Sequence, residues 1–377
     1  MPLILGLETS CDETAASVVD GGLAVRSNVV STQHELHRRY GGVVPEIASR
    51  AHLERLWPVV SAALDQASIA LTDLDAVAVG NRPGLVGSLI VGASAAKTLA
   101  WSLNVPLIGI DHVQAHLYAA ALRECTVNSE QCTDRDPADS EIINHPAYPA
   151  LGLVVSGGHT SLFDVASPTA MVCIGKTIDD AVGEAYDKAA VILDAGYPGG
   201  PNLDALAQRG DTAAPDAPKL PRPLLGPGSL DFSFSGLKTA LLYATRGTPT
   251  GRGKARTFPR EASDLSAAQR ANLAAAFQLA VVDTLMAKLK RAAQRMADDG
   301  RRPGCIIIGG GVSANSLLRE RVSALGETFG LQIHIPSMAL CVDNAAMIAG
   351  LAHAKLAAGQ VDDLTLPVIA TTAVGLA

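Results

Sequence analysis

The chain is poor in aromatic side chains. Phe, Trp and Tyr together make up 4% of its 377 residues, so its core must be assembled from Ala, Val, Leu and Ile. It has no CxxC pair: six cysteines lie scattered at 11, 125, 132, 173, 305 and 341. That excludes a zinc ribbon and a thioredoxin-type redox pair, and in a chain of this length it reads as a set of reduced cytoplasmic thiols. Positive charge is not in excess either. The formal net charge is −7, which argues against gripping nucleic acid by bulk charge and leaves only local basic patches for that purpose. No uninterrupted apolar run reaches about 18 residues, so no membrane span is expected. The opening MPLILGLETSCDE has no basic segment ahead of its apolar stretch and soon turns acidic, unlike a signal peptide. No segment matches GxxxxGK[ST], and no GxGxxG follows the first apolar run, which disfavours a P-loop NTPase and a Rossmann dehydrogenase.

What remains is a folded chain, 48% hydrophobic and 18% charged, long enough for two domains. Leu3–Leu7, Ala15–Asp20 and Ala24–Ser31 read as strands, the last two hinged at Gly21-Gly22. Pro45 suits the first turn of a helix running to Gln66, on which Ile47, Ala51, Leu56, Val60, Ala63 and Leu64 recur at helical spacing; Pro58 is expected to kink or split it. Ala76–Gly80 and Val105–Ile110 read as strands on either side of GNRPGLVGSL and an apolar helix ending near Leu103. This β-β-β-α-β-α-β-α order predicts a mixed sheet with helices on its faces. Residues 123–147, polar and acidic, read as a surface insertion and a domain boundary. The plan then restarts. ALGLVVSGGHTSLFDVA is strand, Gly-Gly turn, strand; helices follow over 179–195 and 266–298; GCIIIGGGVSANSLLRERVSAL is strand, glycine loop, helix; LQIHIPS and Asn344–Leu356 are a last strand and helix. The expected architecture is α/β, two related lobes with mixed sheets and a cleft between them. Residues 1–122 with about 337–377 form one lobe and 148–336 the other.

The chemistry-bearing segments fall at strand ends. IIIGGGVSAN (306–315), VVSGGHTSL (154–162), LETSCDETAASVVDGG (7–22) and YPGGPNLDALA (197–207) are four polar or glycine-rich corners. Glycines there let backbone N–H groups approach an anion, and a following helix N-terminus favours it. Each corner taken alone reads equally well as a tight turn, with Ser313 or Asn315 as helix caps and Asp204 as an N-cap at a helix start. Together they suggest a nucleotide held in a cleft, as in the actin, hexokinase and Hsp70 architecture.

GIDHVQAHLYAA holds His112 and His116, one helical turn apart if a helix starts near Asp111. The pair reads as metal ligands or as two ordinary helix residues. It lacks the Glu of an HExxH metalloprotease, and a metal needs a third ligand. Asp343, at the first corner of an apolar helix, and His159, in the Gly-Gly hairpin, are candidates; Asp343 by itself reads first as a plain N-cap. Asp179, Asp180, Glu184 and Asp187 flank an apolar stripe and either cap, pair with Lys188 or face the cleft. Two basic clusters, HELHRRY with Arg38 and Arg39, and residues 245–260, stand against the acidic total. The second contacts a phosphate backbone or is a solvated loop.

LGLETSCDETAASVV, YGGVVPEIASRAH, GIDHVQAHLYAA, LVVSGGHTSL, IDDAVGEAYDKAA, YPGGP, FSFSGLKTA, GGGVSAN and CVDNAAMIA, in this order over nearly the whole chain, resemble the TsaD/Kae family, once labelled O-sialoglycoprotein endopeptidase. CVDN stands where CTDN is commoner in that family. The resemblance implies an actin-like (ASKHA) two-lobe fold. It implies transfer of the threonylcarbamoyl group from threonylcarbamoyl-AMP to N6 of the adenosine at tRNA position 37, with release of AMP. It assigns His112, His116 and Asp343 to one divalent metal, Fe2+ usually and Zn2+ as an alternative. It assigns Val154, Val155, Ser156, Gly157, Gly158, Asp187, Gly200, Asp204 and Asn315 to the adenylate, and sets Asp12 and Glu13 on an acidic corner near the site; that either serves as catalytic proton acceptor is a separate hypothesis, drawn from the chemistry of the transfer. It further implies companion proteins, a TsaB-like paralogue and a TsaE-like ATPase, and a cytoplasmic location away from membranes. An ASKHA ATPase or kinase, a metalloprotease and a non-enzymatic scaffold remain as alternatives.

Overall fold

The structure, a computed structural model, describes residues 1–38, 40, 42–124, 146–251 and 257–371. Most of the expected insertion at 123–147, part of the basic loop at 245–260, and Arg39, Cys125 and Cys132 lie outside the described residues. The chain divides into two compact units. One comprises Met1–Pro146, Ala166–Met171 and His334–Ala377; the other comprises Ala147–Val165 and Val172–Ile333.

In the first unit β1 (Leu3–Glu8), β2 (Glu13–Asp20) and β3 (Ala24–Thr32) form an antiparallel meander. After a short helix α1 (His34–Arg38) and the long α2 (Pro45–Ala67) come β4 (Ala76–Arg82), α3 (Val86–Leu103), β5 (Leu107–Asp111), α4 (His112–Tyr118) and a two-residue strand β6 (Arg123–Glu124). The sheet runs β5-β4-β1-β2-β3-β6, with β4 parallel to β1 and β5 parallel to β4. Arg123 and Glu124, read above as the start of the insertion, pair with Ala24 and Val25 at the edge of this sheet.

The second unit repeats the plan with β7 (Ala150–Val155), β8 (Thr160–Ser167), β9 (Ala170–Lys176), α5 (Val182–Ile192), α6 (Gly199–Ala207), α7 (Ser235–Arg246), α8 (Ala267–Asp298), β10 (Cys305–Gly309), α9 (Ser316–Phe329) and β11 (Gln332–His334). Its sheet order, β11-β10-β7-β8-β9, matches β5-β4-β1-β2-β3 strand for strand. The chain closes with α10 (Met338–Cys341) and α11 (Ala346–Ala357), which belong to the first unit.

β1 reads as an unbroken apolar run because both faces of its sheet are covered. Leu5 and Leu7 join Val77 and Val79 in a cluster with Leu56, Val60, Ala63 and Leu64 of α2 and Ala96 and Ala100 of α3. Ile4, one residue out of phase, joins Ala78, Ile108 and Ile110 against Ala115 of α4 and Met347, Ile348 and Leu351 of α11. Each large aliphatic side chain buried this way contributes about 1.5–3 kcal/mol. Gly6 lets α11 come close: a Cβ there would lie 2.3 Å from the Ala345 carbonyl oxygen and 2.9 Å from the Ala349 nitrogen. The start of α11 is thereby pressed onto β1.

Two expectations are corrected. Pro58 does not split α2, which runs unbroken from Pro45 to Ala67. Pro58 and Glu54 are both exposed, so the Glu54 carbonyl that loses its helical donor faces water. The helix expected at 179–195 begins only at Val182, because Asp179 is engaged at the start of α7. Its carboxylate accepts from the Phe234 N–H at 2.8 Å and from the Ser233 and Ser235 hydroxyls. Two helices are long and apolar enough to cross a membrane by length and composition, α3 and α8. In the structure α3 packs on α2 and β4, and α8 on α6, α7, α9 and β7.

Candidate metal centre and glycine cradle

Asp111 ends β5 and starts α4. Its Oδ1 accepts from the backbone N–H groups of Val113 at 3.0 Å and Gln114 at 3.3 Å, satisfying donors that the first helical turn leaves open. The helix so started carries His112 and His116 on one buried face, their rings edge to face with centroids 4.7 Å apart. The α10–α11 corner supplies Asp343. Its Oδ1 lies 3.2 Å from His116 Nε2 and 3.5 Å from His112 Nε2. The cap that the sequence offered to Asp343 is made by its neighbour: Asn344 Oδ1 accepts from the Met347 N–H at 3.0 Å. Asp343 is thereby released to face the histidines.

These three donors fit a metal ion. Ligands at about 2.0–2.2 Å around a tetrahedral ion stand about 3.3–3.6 Å apart, and the two His–Asp separations fall in or next to that range. Both ring nitrogens of the buried His116 lack a hydrogen bond of acceptable geometry, a costly state for polar atoms without a ligand. The donor set, two imidazoles and a carboxylate, suits a divalent transition metal. His159, the other candidate third ligand, sits in the turn between β7 and β8 of the second unit.

Glu8 completes the centre, and sequence reasoning missed it. At the end of β1, 1% exposed, its Oε2 accepts from His112 Nδ1 at 2.9 Å; the Ser10 hydroxyl lies 3.3 Å from the same nitrogen. A proton fixed on Nδ1 leaves the Nε2 lone pair directed at the metal position. Gly80 on β4 makes room for this carboxylate, since a Cβ there would lie 2.7 Å from Glu8 Oε2. Burial alone would drive the His112 imidazolium toward neutrality, yet Glu8 and Asp343 outweigh it and hold its pKa well above the usual histidine value. Burial likewise opposes both carboxylates, and His112 outweighs it, holding Asp343 well below and Glu8 below the ordinary range. His116 moves the other way: burial dominates and lowers it.

The β1–β2 turn presents Asp12 and Glu13. His34, the first residue of α1, reaches them with Nε2 at 3.9 Å from Asp12 Oδ2 and 3.3 Å from Glu13 Oε1. Burial pushes the Glu13 carboxyl up to about 7, His34 pulling against it. The HELHRRY cluster is therefore not a uniformly solvated basic face. His37 is buried and lies 3.2 Å from Gln33 Oε1, while Arg38 pairs with Glu35 at 3.6 Å.

In the second unit Val154 and Val155 end β7 with their side chains in the core, and Ser156, Gly157 and Gly158 turn into β8. A Cβ on Gly157, Gly158, Gly200 or Gly311 would meet no atom within 4 Å, so backbone is laid open at three separate corners. Asp187 lies on the exposed face of α5, against which Gly199 packs closely. Asp204 is not at a helix start. It sits inside α6, where its carboxylate accepts from Gln278 Nε2 at 2.8 Å, Asn315 Nδ2 at 3.2 Å and the Ser316 hydroxyl at 2.7 Å. Asn315 caps α9, accepting from the Leu318 N–H at 3.0 Å. Gln278, buried midway along α8, also accepts from Asn315 at 3.0 Å and was not singled out in the sequence. Lys188 pairs with Asp180 at 2.7 Å and Glu184 at 2.9 Å.

Two sheets of matching strand order place the chain among proteins of the actin-like ATPase (ASKHA) fold, here with a His-His-Asp group that can hold a divalent metal. The solved structure of full-length HypF in its phosphate- and nucleotide-bound form shares the fold. It matches with a TM-score of 0.54 at 13% identity over 96% of this chain and 47% of that one. A family model described as TsaD: tRNA N6-adenosine threonylcarbamoyltransferase matches residues 24–129 and 138–350. The chain belongs to that family and is a transferase. A relative of that name from Symbiobacterium thermophilum is 46% identical over 374 residues, 99% of this chain and 97% of its own. Another of that name, from Trichlorobacter lovleyi, is 44% identical over 369 residues, 98% of this chain and 96% of its own. The kinase and metalloprotease alternatives are not favoured by these matches. Between the two matched segments only residues 130–137, inside the expected insertion, are left out.

Proposed function

We propose that the chain transfers the threonylcarbamoyl group from threonylcarbamoyl-AMP to N6 of the adenosine at tRNA position 37, with His112, His116 and Asp343 holding Fe2+, or Zn2+ in its place. In the transfer the N6–carbonyl carbon bond forms, the bond from that carbon to the AMP phosphate oxygen breaks, and the N6 proton must leave. A bound metal supplies Lewis-acid polarisation at the threonylcarbamoyl end. Glu8 orients His112, and burial of α4 against α11 keeps water from the two imidazoles. Glu13, with its pKa near 7, is matched to accept the N6 proton on a carboxylate oxygen, and Asp12 stands beside it. In the second unit the open backbone at Gly157, Gly158 and Gly200, with Val154, Val155 and Ser156 setting the turn, suits a phosphate. Asp187 and Asp204 are acceptors suited to ribose hydroxyls, with Asn315 fixing Asp204.

The observation that carries this reading is the convergence of His112, His116 and Asp343 around orphaned buried ring nitrogens in a chain of this family. The net charge of −7 leaves the tRNA to be held by partners or local basic clusters. Companions, a TsaB-like paralogue and a TsaE-like ATPase, complete the assembly. Leu53 and Trp57 on α2 and Ile90 and Trp101 on α3 are exposed apolar residues suited to docking one of them. A cytoplasmic location follows from this reading, since tRNA is the substrate. The test is incubation with threonylcarbamoyl-AMP, unmodified tRNA and the companions, followed by nucleoside analysis. The modified adenosine should appear with the wild type and be lost with His112→Ala. Its absence with the wild type, or its persistence at full yield in the variant, would contradict the reading.

A further inference from the structure

We propose that Asp12, Glu13 and His34 form a second site for a divalent transition-metal cation, sharing no donor with the His112–His116–Asp343 centre. One donor atom from each of the three residues lies within 4.8 Å of the other two. The 3.3 Å between His34 Nε2 and Glu13 Oε1 already equals the donor spacing around a tetrahedral ion, and the 3.9 Å to Asp12 Oδ2 closes with a small rotation of a side chain.

The backbone beneath these donors is framed on several sides. Glu13 pairs with Thr32 across β2 and β3, the Gln33 N–H donates to the Asp12 carbonyl at 3.0 Å, and the His34 N–H donates to the Thr32 hydroxyl at 3.3 Å. Behind the turn His52 lies 2.8 Å from the Thr14 hydroxyl and 3.1 Å from the Cys11 carbonyl oxygen. The three side chains are thus presented from anchored positions, as a metal site requires.

Charge gives an independent reason. Asp12 is 9% exposed and the Glu13 side chain 15%, so two adjacent carboxylates are largely out of water. Among the described residues no Lys or Arg comes within ion-pair distance of either; His34 is the basic group that meets them. A dication neutralises such a pair, and the mixed N,O,O donor set favours Zn2+ or Mn2+ over soft cations. The His34 side chain is 43% exposed, which gives an ion a way in. A cation here occupies the lone pairs by which Glu13 would take up a proton, so occupancy opposes transfer; this consequence rests on the role proposed for Glu13, and the binding itself does not.

The experiment strips the full chain of metal, loads it with excess Zn2+, removes the excess by dialysis and measures bound zinc by mass spectrometry. The expected result is two equivalents in the wild type, one in His34→Ala, one in Glu13→Gln and one in His112→Ala, with circular dichroism showing each variant folded. In turnover, excess Zn2+ should slow the wild type at least tenfold and slow His34→Ala much less. A single equivalent in the wild type that disappears with His112→Ala would overturn the second site while leaving the first standing. Two equivalents persisting in both His34→Ala and Glu13→Gln would overturn it as well.

Discussion

Glu8 Oε2 lies 2.9 Å from His112 Nδ1, on a strand 104 residues away in sequence from the helix that carries the histidine. The carboxylate is buried and grips the nitrogen opposite the one that faces Asp343. Glu8→Gln keeps the shape but removes the charge that fixes the tautomer. It should weaken metal binding about 10- to 100-fold, measured by competition with a chelator of known affinity, with little loss of fold. Unchanged affinity would show that His112 is oriented by packing alone.

In the metal-free chain His112 holds a proton well above the usual histidine pKa, because Glu8 and Asp343 overcome burial. A metal must displace that proton. Affinity should therefore rise with pH, by about tenfold per unit while His112 remains protonated. Calorimetry in buffers of different ionisation heat should report proton release on binding. Uptake of protons would reverse the sign and refute the charge assignment.

Glu13 sits near pKa 7 through burial, partly offset by His34. A proton acceptor must be ionised, so single-turnover transfer at one metal equivalent should climb between about pH 6 and 8 and level off above. Glu13→Gln should flatten that profile and lower the rate by about 100-fold or more. A variant that retains the wild-type profile would pass the role to Asp12, and Asp12→Asn is the matching control.

Gln278 ties Asp204 to Asn315 from within α8. Gln278→Leu removes one hydrogen bond each from half-buried Asp204 and buried Asn315, at a cost of about 1–3 kcal/mol in urea denaturation. KM for threonylcarbamoyl-AMP should rise with kcat nearly constant, since the change touches binding of the adenylate and not the transfer. A fall in kcat at unchanged KM would place Asp204 in the chemistry.

The meander and the βα units were legible because turn residues and apolar alternation mark them locally. Gly21-Gly22 and Gly157-Gly158 punctuate strands that then pair with their neighbours. His112 and His116 were legible as a spacing, and Asp111 as the neighbourhood of a helix start. Asp343 by itself read first as a cap, since an acid before an apolar helix usually is one, and only the family resemblance set it with the histidines; the structure shows Asn344 taking the cap. Glu8 was hidden by its place in an apolar run, where its burial follows from strand pairing with β2 and β4. Gln278 was hidden inside a 32-residue helix whose periodicity says nothing of a partner 74 residues earlier in the chain. Asp204 was misplaced because Gly199, Gly200 and Pro201 look like a turn, yet they form the first turn of α6, where Pro is tolerated.

The most direct measurement is X-ray absorption on the protein loaded with one equivalent of metal. Two imidazole nitrogens and a carboxylate oxygen at about 2.0–2.2 Å are expected, falling to one imidazole in His116→Ala. A spectrum without imidazole scattering, or one that His116→Ala leaves unaltered, would contradict the assignment of His112, His116 and Asp343 to the metal.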